Sequence, residues 1–596
     1  MRFLGSKPEP AEKAKDSCVP ADNKVSTPEK GKPASSSIQL KKTLDTSFDN
    51  AEEAFKSKTT GEVFRAYLVY LLTSSSFLVE NNMALMKIGK GVLGERLFTW
   101  VMKKSFYGHF VAGEDRHKIV PTLKRMQEFG VRSILDYSVE EDLSHDEAEK
   151  RELVSSTSEV KREKRKEKDL VGGEMPQYTP SKEFADRRYK VNSARTYFYV
   201  DEESCEKNLQ IFKDCLETSA KYTNGTAFTA IKMTALGRPQ LLLQISEVIM
   251  RARKFVSEVV GGRGNVLGQH LTAEELTKRL EQAGVKDTKQ FLEKVTTDRE
   301  GVIHLFPWTG IIDMNLGLND SFHVPSLKEG KMVQLISELS QKEEDMFRNM
   351  ITRLNELVKV AKELNVSIMV DAEQTYFQPA ISRITMELMN KYNHDRAIVF
   401  NTYQCYLRDA HNEIKMDIAQ AKRQKFHFAC KLVRGAYLEQ ERARAASMNY
   451  PDPTNPNFEA TSKMYQQCVE ECMNYVKEVS DGSKRSFMVA SHNEDTVRFA
   501  LEKMKEHNIK PESEIVRFGQ LLGMCDYITF PLGQAGYAAY KYVPYGPVAE
   551  VLPYLSRRAQ ENKGVLEKAK KEKQLVLREL LRRIRKGHIF HKVKSE

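Results

Sequence analysis

Eight short apolar runs, alternating with stretches of helical periodicity, constrain this 596-residue chain more than anything else in it. The runs are RSILDYS (132–138), AFTAIKMTAL (227–236), SIMVDAEQ (367–374) and AIVFNTYQ (397–404), then FHFACKLVRGAY (426–437), SFMVASHN (486–493), EIVRFGQLLG (514–523) and AAYKYVPYG (538–546). Most are apolar at odd and even positions alike, as strands are when both faces of a parallel sheet are covered. Intervening segments such as QPAISRITMELMNKY and EDTVRFALEKMKEH space their apolar residues for a helix. Eight strand–helix repeats predict a closed (β/α)8 barrel of the α/β class, whose chemistry sits where the strands end. Those ends carry Lys232, Asp371, Gln404, Lys431 with Arg434, His492 with Asn493, Leu521 and Tyr542. Each alone reads as a satisfied structural residue. Their common place around one rim points to a single site.

The barrel domain is expected over 131–562. Residues 1–48, rich in Lys, Ser, Pro and Glu, have the composition of a disordered tail. Long helical periodicity with few breakers predicts a helical region over 49–130, and KREKRKEKD marks a charged linker over 144–182. A helical insertion interrupts the repeats at about 250–340, and 563–596 form a basic C-terminal helix and tail. The net charge of +11 comes from positive runs interleaved with Glu, without a nucleic-acid-binding motif. AYLVYLLTSSSFLV (66–79) is the nearest approach to a membrane span, and it is short and interrupted by Thr-Ser-Ser-Ser. Of eight cysteines only Cys468 and Cys472 are close, with no His nearby to complete a metal set. The N-terminus lacks a secretory pattern and mixes Lys with acids, unlike an Arg-rich presequence, so composition leaves targeting open.

Just past the eighth run, YLSRRAQEN (554–562) sets Tyr554, Arg557, Arg558 and Glu561 at i, i+3, i+4 and i+7, one face of a helix. Such a face is either a solvated, salt-bridged surface or an anion clamp, since paired guanidinium forks match a carboxylate. Its position after the eighth strand suits a helix lying across the barrel mouth.

IKMTALGRPQ, MVDAEQ, KLVRGAYLEQERARA, ASHN, FGQLLGMCD, YKYVPYGP and YLSRRAQEN, in this order from about Ser133 to Asn562, resemble the motifs of the proline dehydrogenase (proline oxidase) family, most of all its eukaryotic mitochondrial branch. The resemblance implies a distorted (β/α)8 barrel and FAD-dependent oxidation of L-proline to 1-pyrroline-5-carboxylate. Hydride would pass from proline C5 to flavin N5 and the electrons on to ubiquinone. It implies that Arg557 and Arg558 grip the substrate carboxylate with Lys232 as a further cation, and that Glu561 orients an arginine. Tyr437, Leu521, Tyr542 and Tyr554 would enclose the ring, and Asp371 would organise neighbouring cations. For FAD it implies Gln404, Lys431, Val433, Gly435 and Ala436 around the flavin ring, with Ser491, His492 and Asn493 on the remainder. Lys431 departs from the arginine of bacterial relatives. No dinucleotide-binding glycine fingerprint is present, GGRGNVLG having the wrong spacing.

By the same resemblance the protein is mitochondrial, on the matrix side of the inner membrane. The basic amphipathic stretch LRELLRRIRKGHIFHK (577–592) would make peripheral contact with the membrane, or be an ordinary surface helix. In the insertion, TTDREGVIHLFP resembles a calcium loop with Gly301 and Ile303 in place. Thr296 and Pro307 stand where its end carboxylates belong, so a degenerate EF-hand-like module without bound metal is expected. Two alternatives remain: a hydroxyproline dehydrogenase, in which a smaller residue, typically serine, would stand at Tyr542, and a silent barrel serving as an interaction protein. Intact Lys232, Asp371, Arg557, Arg558 and Glu561 favour the enzyme.

Overall fold

The computed structural model describes residues 43–138, 143–160, 173–188, 191, 196–223, 225–259, 272–282, 296–297, 303–304, 306, 308–325, 332–336, 339–477, 484–564, 566–588 and 593. Eight parallel strands close a barrel: β1 (Val131–Tyr137), β2 (Phe228–Ile231), β3 (Ser367–Val370), β4 (Val399–Gln404), β5 (Ala429–Val433), β6 (Ser486–Ala490), β7 (Val516–Leu521) and β8 (Ala538–Tyr545). They stand around the barrel in chain order, and β8 pairs with β1 from Val131↔Ala539 to Tyr137↔Tyr545. Each expected run supplies one strand. Two ends differ from expectation. β2 stops at Ile231, although Lys232 keeps an extended backbone before a 3-10 turn over Met233–Ala235. Tyr542 lies inside β8 rather than at its end, because pairing with β1 carries that strand on to Tyr545.

Side chains alternate in and out along each strand, so the inward set follows from any one member. Ile134, Phe228, Ala230, Met369, Phe400, Ala429, Met488, Ala538 and Tyr540 form a buried cluster inside the barrel. Phe228 meets Phe400 edge-on at 5.0 Å, and the Arg517 guanidinium lies 4.9 Å from the Phe228 ring centre. This end is a packed plug. The same alternation, carried two or four residues further, turns Asp136, Lys232, Asp371, Gln404, Lys431, His492 and Tyr542 inward at the other end.

The N-terminal region is built of helices Ala51–Phe55, Thr60–Thr73, Ser76–Glu80, Asn82–Lys104, Phe106–Phe110 and Val120–Glu128. Thr59 and Glu62 make a reciprocal capping box at the start of the second, satisfying N–H groups that a helix end leaves open. That helix runs antiparallel to the last one, Leu566–Arg585: Thr60 donates to the His588 carbonyl (3.2 Å), while Lys573 reaches Ser74 (3.5 Å). Both ends of the chain meet the barrel at a buried charge cluster. Lys541, on the outer face of β8, lies 2.8 Å from Asp526, which also pairs with Lys58. The Glu572 carboxylate accepts the N–H groups of Cys525 (2.9 Å) and Asp526 (3.0 Å).

Composition and structure part in three places. Residues 1–42 of the expected tail lie outside the described residues, but Phe48 is a buried core residue, held by an apolar ring that outweighs its polar neighbours. Within the expected linker, His145–Ser156 is a helix with a Ser144–Glu147 capping box. Its Glu152 is buried against Arg187 at 3.0 Å, so charge that reads as solvated is paired internally. In the insertion, Thr296↔His304 and Thr297↔Ile303 pair antiparallel, and Phe306 meets Trp308 and Phe322 edge-on within the hydrophobic core. The side chains of the expected calcium loop from Thr296 to Ile303, and Pro307, lie outside the described residues.

Lys541→Met would leave Asp526 with Lys58 alone in a dry site. A loss of about 3–5 kcal/mol in denaturant unfolding is expected, with part regained in Lys541→Met/Asp526→Leu, because apolar pairs replace buried ion pairs at little cost. Lys541 and Lys58 overcome burial and hold the Asp526 carboxyl well below its ordinary range, whereas burial and the Asp526 charge push Glu572 up to about 7. A carboxyl raised in the fold favours the protonated native state, so its contribution fades as pH climbs from the ordinary glutamate range through about 7. Stability curves between about pH 5 and pH 8 should therefore show Glu572→Gln gaining on the unmutated protein as pH rises.

Candidate active site

The polar end of the barrel gathers residues from seven strand ends. Lys431 Nζ on β5 donates to Asp371 Oδ1 at 2.5 Å, joining a residue expected at the substrate to one expected at the cofactor. Asp371 is held in turn by its N–H, which donates to the Ile231 carbonyl (2.9 Å). Beside them stands Lys232, 6% exposed and without an ion-pair partner among the described residues. A buried ammonium with no counter-charge is costly, by several kcal/mol in real proteins. An anion brought to it would remove that cost.

The helix Leu552–Gly564 follows β8, and its Val551–Leu555 end packs against Met524, Tyr107, Phe98 and Met102, with Leu521 at the margin of the same cluster. The N-terminal helices thus form a wall that seats this helix beside the end of β7. Tyr554, Arg557 (7% exposed) and Arg558 (2%) face inward, and the Arg558 guanidinium sits 4.7 Å from the Tyr554 ring centre. The solvated-surface alternative is excluded by that burial. Stacking on a ring and burial hold a guanidinium in one orientation, which bidentate recognition of a carboxylate requires. The side chain of Glu561 lies outside the described residues.

On the β4–β6 side, neighbouring registers set Gln404 beside Val433 and Lys431 beside Met488. Gln404 Nε2 donates to the Glu373 carbonyl (2.9 Å), fixing the amide. Past β5, Val433 to Ala436 form a half-buried ledge, and Gly435 has φ +132°, where a Cβ would fall 1.5 Å from the Tyr406 ring. Glycine alone fits there. Tyr437 closes the ledge, buried, with burial and the nearby Glu373 and Asp371 carboxylates pushing its phenol well above the usual range. A flat ledge edged by an ammonium and an amide fits a planar, acceptor-rich group with an anionic extension.

The ASHN motif divides its labour. His492 Nε2 accepts the Leu521 N–H (3.0 Å), pinning the end of β7. Ser491 Oγ accepts from the Asn493 N–H (3.0 Å), and Asn493 Oδ1 caps the helix Glu494–Glu506. Tyr542 is half-buried in register with Leu521. Lys232, Asp371, Lys431, Gln404 and Tyr542 thus share the inner rim, while Asn493 is engaged in the wall behind it.

Sequence reasoning missed the support beneath this rim. Glu373 accepts Thr234 Oγ1 (2.7 Å) and lies 3.7 Å from Arg187, which reaches Glu152 as well. Arg187 is fully buried between the rings of Phe198 and Phe377. MVDAEQ carries two carboxylates two residues apart, a signal that Glu373 also needs a partner, but nothing in the sequence pairs it with an arginine beyond a charged stretch. Asp136, buried at the end of β1, was detectable as the acidic end of an apolar run.

A proline dehydrogenase family model matches residues 119–571. A mitochondrial proline dehydrogenase of Drosophila melanogaster is 60% identical over 93% of this chain and 83% of its own length. The human mitochondrial proline dehydrogenase is 46% identical over 91% of each chain. A hydroxyproline dehydrogenase of Xenopus laevis is 31% identical over 89% of each.

Removing this buried cation, unpaired among the described residues, gives a test of the geometry alone. Lys232→Met should unfold at the same temperature as the unmutated protein or higher in calorimetry. A loss of more than about 2 kcal/mol would mean that the ammonium is held by partners within the fold.

Proposed function

The chain belongs to the proline dehydrogenase family, and we propose that this barrel oxidises L-proline to 1-pyrroline-5-carboxylate with FAD as its cofactor and ubiquinone as electron acceptor. Buried Lys232, with no acidic partner among the described residues, carries this reading, because a small anion bound beside it would offset the cost of its burial. The proline carboxylate meets Lys232, Arg557 and Arg558. Tyr437, Tyr542, Tyr554 and Leu521 exclude water from the ring. Exclusion of water strengthens the charge–charge contacts and favours loss of the amine proton to solvent, so no dedicated base is needed. Asp371 neutralises Lys431 and fixes its direction, leaving Lys232, uncompensated among the described residues, as a cation for substrate.

Gln404, Lys431, Val433, Gly435 and Ala436 would hold the flavin ring, with Ser491, His492 and Asn493 toward the rest of FAD. Bound FAD supplies the hydride acceptor for proline C5 at its N5. The protein's own contribution is positioning and charge. Relatives named as mitochondrial support a mitochondrial location; the matrix side of the inner membrane is what the family resemblance implies. The identity to proline dehydrogenases, well above that to a hydroxyproline dehydrogenase, supports proline as substrate.

Purified protein should be yellow and should bleach on adding proline; folded protein free of flavin, or carrying a nicotinamide cofactor, would overturn the assignment. Arg557→Met and Arg558→Met should each raise the proline KM severely, losing about 2–4 kcal/mol of transition-state binding. Normal KM in both would exclude the clamp. Tyr542 fills the space a 4-hydroxyl would need, so kcat/KM for proline should exceed that for trans-4-hydroxyproline by at least about tenfold. Tyr542→Ser should narrow the gap, chiefly by losing proline activity.

A further inference from the structure

A cavity of about 280 Å³ lies between the N-terminal helices and the turn after β7. None of its lining residues belongs to the set expected at substrate or flavin. Its lining holds four cations, Lys58, Arg65, Lys103 and Arg125, against two acids, Glu62 and Asp526. The cations come from four separate places in the chain. Lys58 follows the helix Ala51–Phe55, Arg65 belongs to Thr60–Thr73, Lys103 to the end of Asn82–Lys104 and Arg125 to Val120–Glu128. A run of charge along one helix is ordinarily a solvated face, but that account does not cover cations converging from four elements.

The carboxylates beside these cations are already shared. Glu62 lies 2.9 Å from Arg125 and 4.0 Å from Arg65, and Asp526 is divided between Lys58 and Lys541. Glu114, which answers Lys103 at 2.7 Å, also answers Lys118 at 2.8 Å. Burial, reinforced by the Arg125 charge, lowers the Arg65 guanidinium from its ordinary value even with Glu62 near. A Cβ on Gly108 would fall 2.7 Å from Arg65 Nη1 and 2.2 Å from the Lys103 carbonyl oxygen, so glycine lets this guanidinium lie close on the helix backbone. Three buried polar atoms on lining residues, Arg65 Nε, Ser57 Oγ and His109 Nε2, have no hydrogen-bond partner among the described residues. Buried polar groups are nearly always paired, so three around one cavity call for a partner from outside the chain. Burial and the Lys58 charge hold the His109 imidazole well below its usual range, so it adds no charge of its own.

We propose that this cavity is a second ligand site, which takes a small organic dianion carrying carboxylate or phosphate groups. Guanidinium forks and ammonium groups bind both kinds of oxygen anion, and Ser57 adds a hydroxyl. A cavity of this size holds on the order of ten non-hydrogen atoms, more than inorganic phosphate fills. Val111, Ala112, Met126, Leu522 and Phe530 on the same walls suit the carbon skeleton between the anionic groups. The bound dianion ties the helices Thr60–Thr73, Asn82–Lys104 and Val120–Glu128 to the turn after β7. Tyr107, another lining residue, packs with Tyr554 and Leu555, so the ligand braces the wall that seats the arginine helix. The site needs neither flavin nor proline turnover, and it stands or falls apart from the proposed function.

Full-length protein should bind succinate or phosphoglycolate in titration calorimetry, the two arms telling a dicarboxylate from a phosphate ester. About a hundredfold excess over Kd should raise Tm by about 2 °C. Succinamide, of the same shape without charge, should do nothing. Arg65→Met/Arg125→Met should weaken binding at least about tenfold. Arg557→Met/Arg558→Met, which removes the carboxylate clamp of the substrate site, should leave it unchanged. Losing Arg125 leaves Glu62 less compensated, so Lys103→Gln, at a half-exposed position, serves as a second variant, with Glu114 still answered by Lys118. It should unfold like the unmutated protein and bind at least about threefold more weakly. Binding of neither dianion overturns the proposal, as does succinamide binding as well as succinate. So does binding that the clamp substitutions abolish while Arg65→Met/Arg125→Met and Lys103→Gln keep it. A Tm rise that chloride reproduces at equal ionic strength is screening rather than a site, and overturns it too.

Discussion

Asp526, held between Lys541 and Lys58 at the start of the helix Asp526–Gln534 that follows β7, is the interaction on which the rest of the architecture turns. It joins three parts of the chain that composition treats as separate. Lys58 brings the N-terminal helices, Lys541 belongs to β8, and Glu572 brings the last helix by accepting two N–H groups beside Asp526. Buried charge of this kind adds little net stability, but each member is expensive to leave alone. The cluster therefore acts as a register pin. It makes only one docking of the two terminal helical segments acceptable.

That docking has a consequence at the mouth. The wall formed by Phe98, Met102 and Tyr107 seats the helix Leu552–Gly564, and burial turns a face that reads as surface into an enclosed one. Arg558 stacked on Tyr554 and the Lys232 ammonium, which has no ion-pair partner among the described residues, are then both buried at this end of the barrel. The barrel supplies the opposite side through the Asp371–Lys431 pair and the Gly435 ledge. Beneath both, Glu373 and Arg187 fix the loops after β2 and β3, so the rim is held by buried partners rather than by loop stiffness.

One set of helices thus has two unlike faces. The inner faces of Asn82–Lys104 and Thr60–Thr73 complete the site, while their outer faces carry apolar stripes and cations.

The sequence by itself determined the barrel. Eight doubly apolar runs separated by helical segments leave few other folds, and period-two alternation carries Lys232, Asp371, Gln404 and Tyr542 to one rim without any knowledge of distant contacts. Local pattern also placed the arginines and the tyrosine on one helical face. Tertiary structure alone decided what that face meets. Whether it is solvated depends on helices some 450 residues earlier in the chain, and no local pattern encodes their docking. The same holds for the pairing of Glu152 with Arg187, the burial of Phe48, and the outward stripes of the N-terminal helices. Periodicity reports that a face is apolar or charged; burial depends on what else arrives there, and in this protein that is set by long-range pairs such as Asp526 with Lys58.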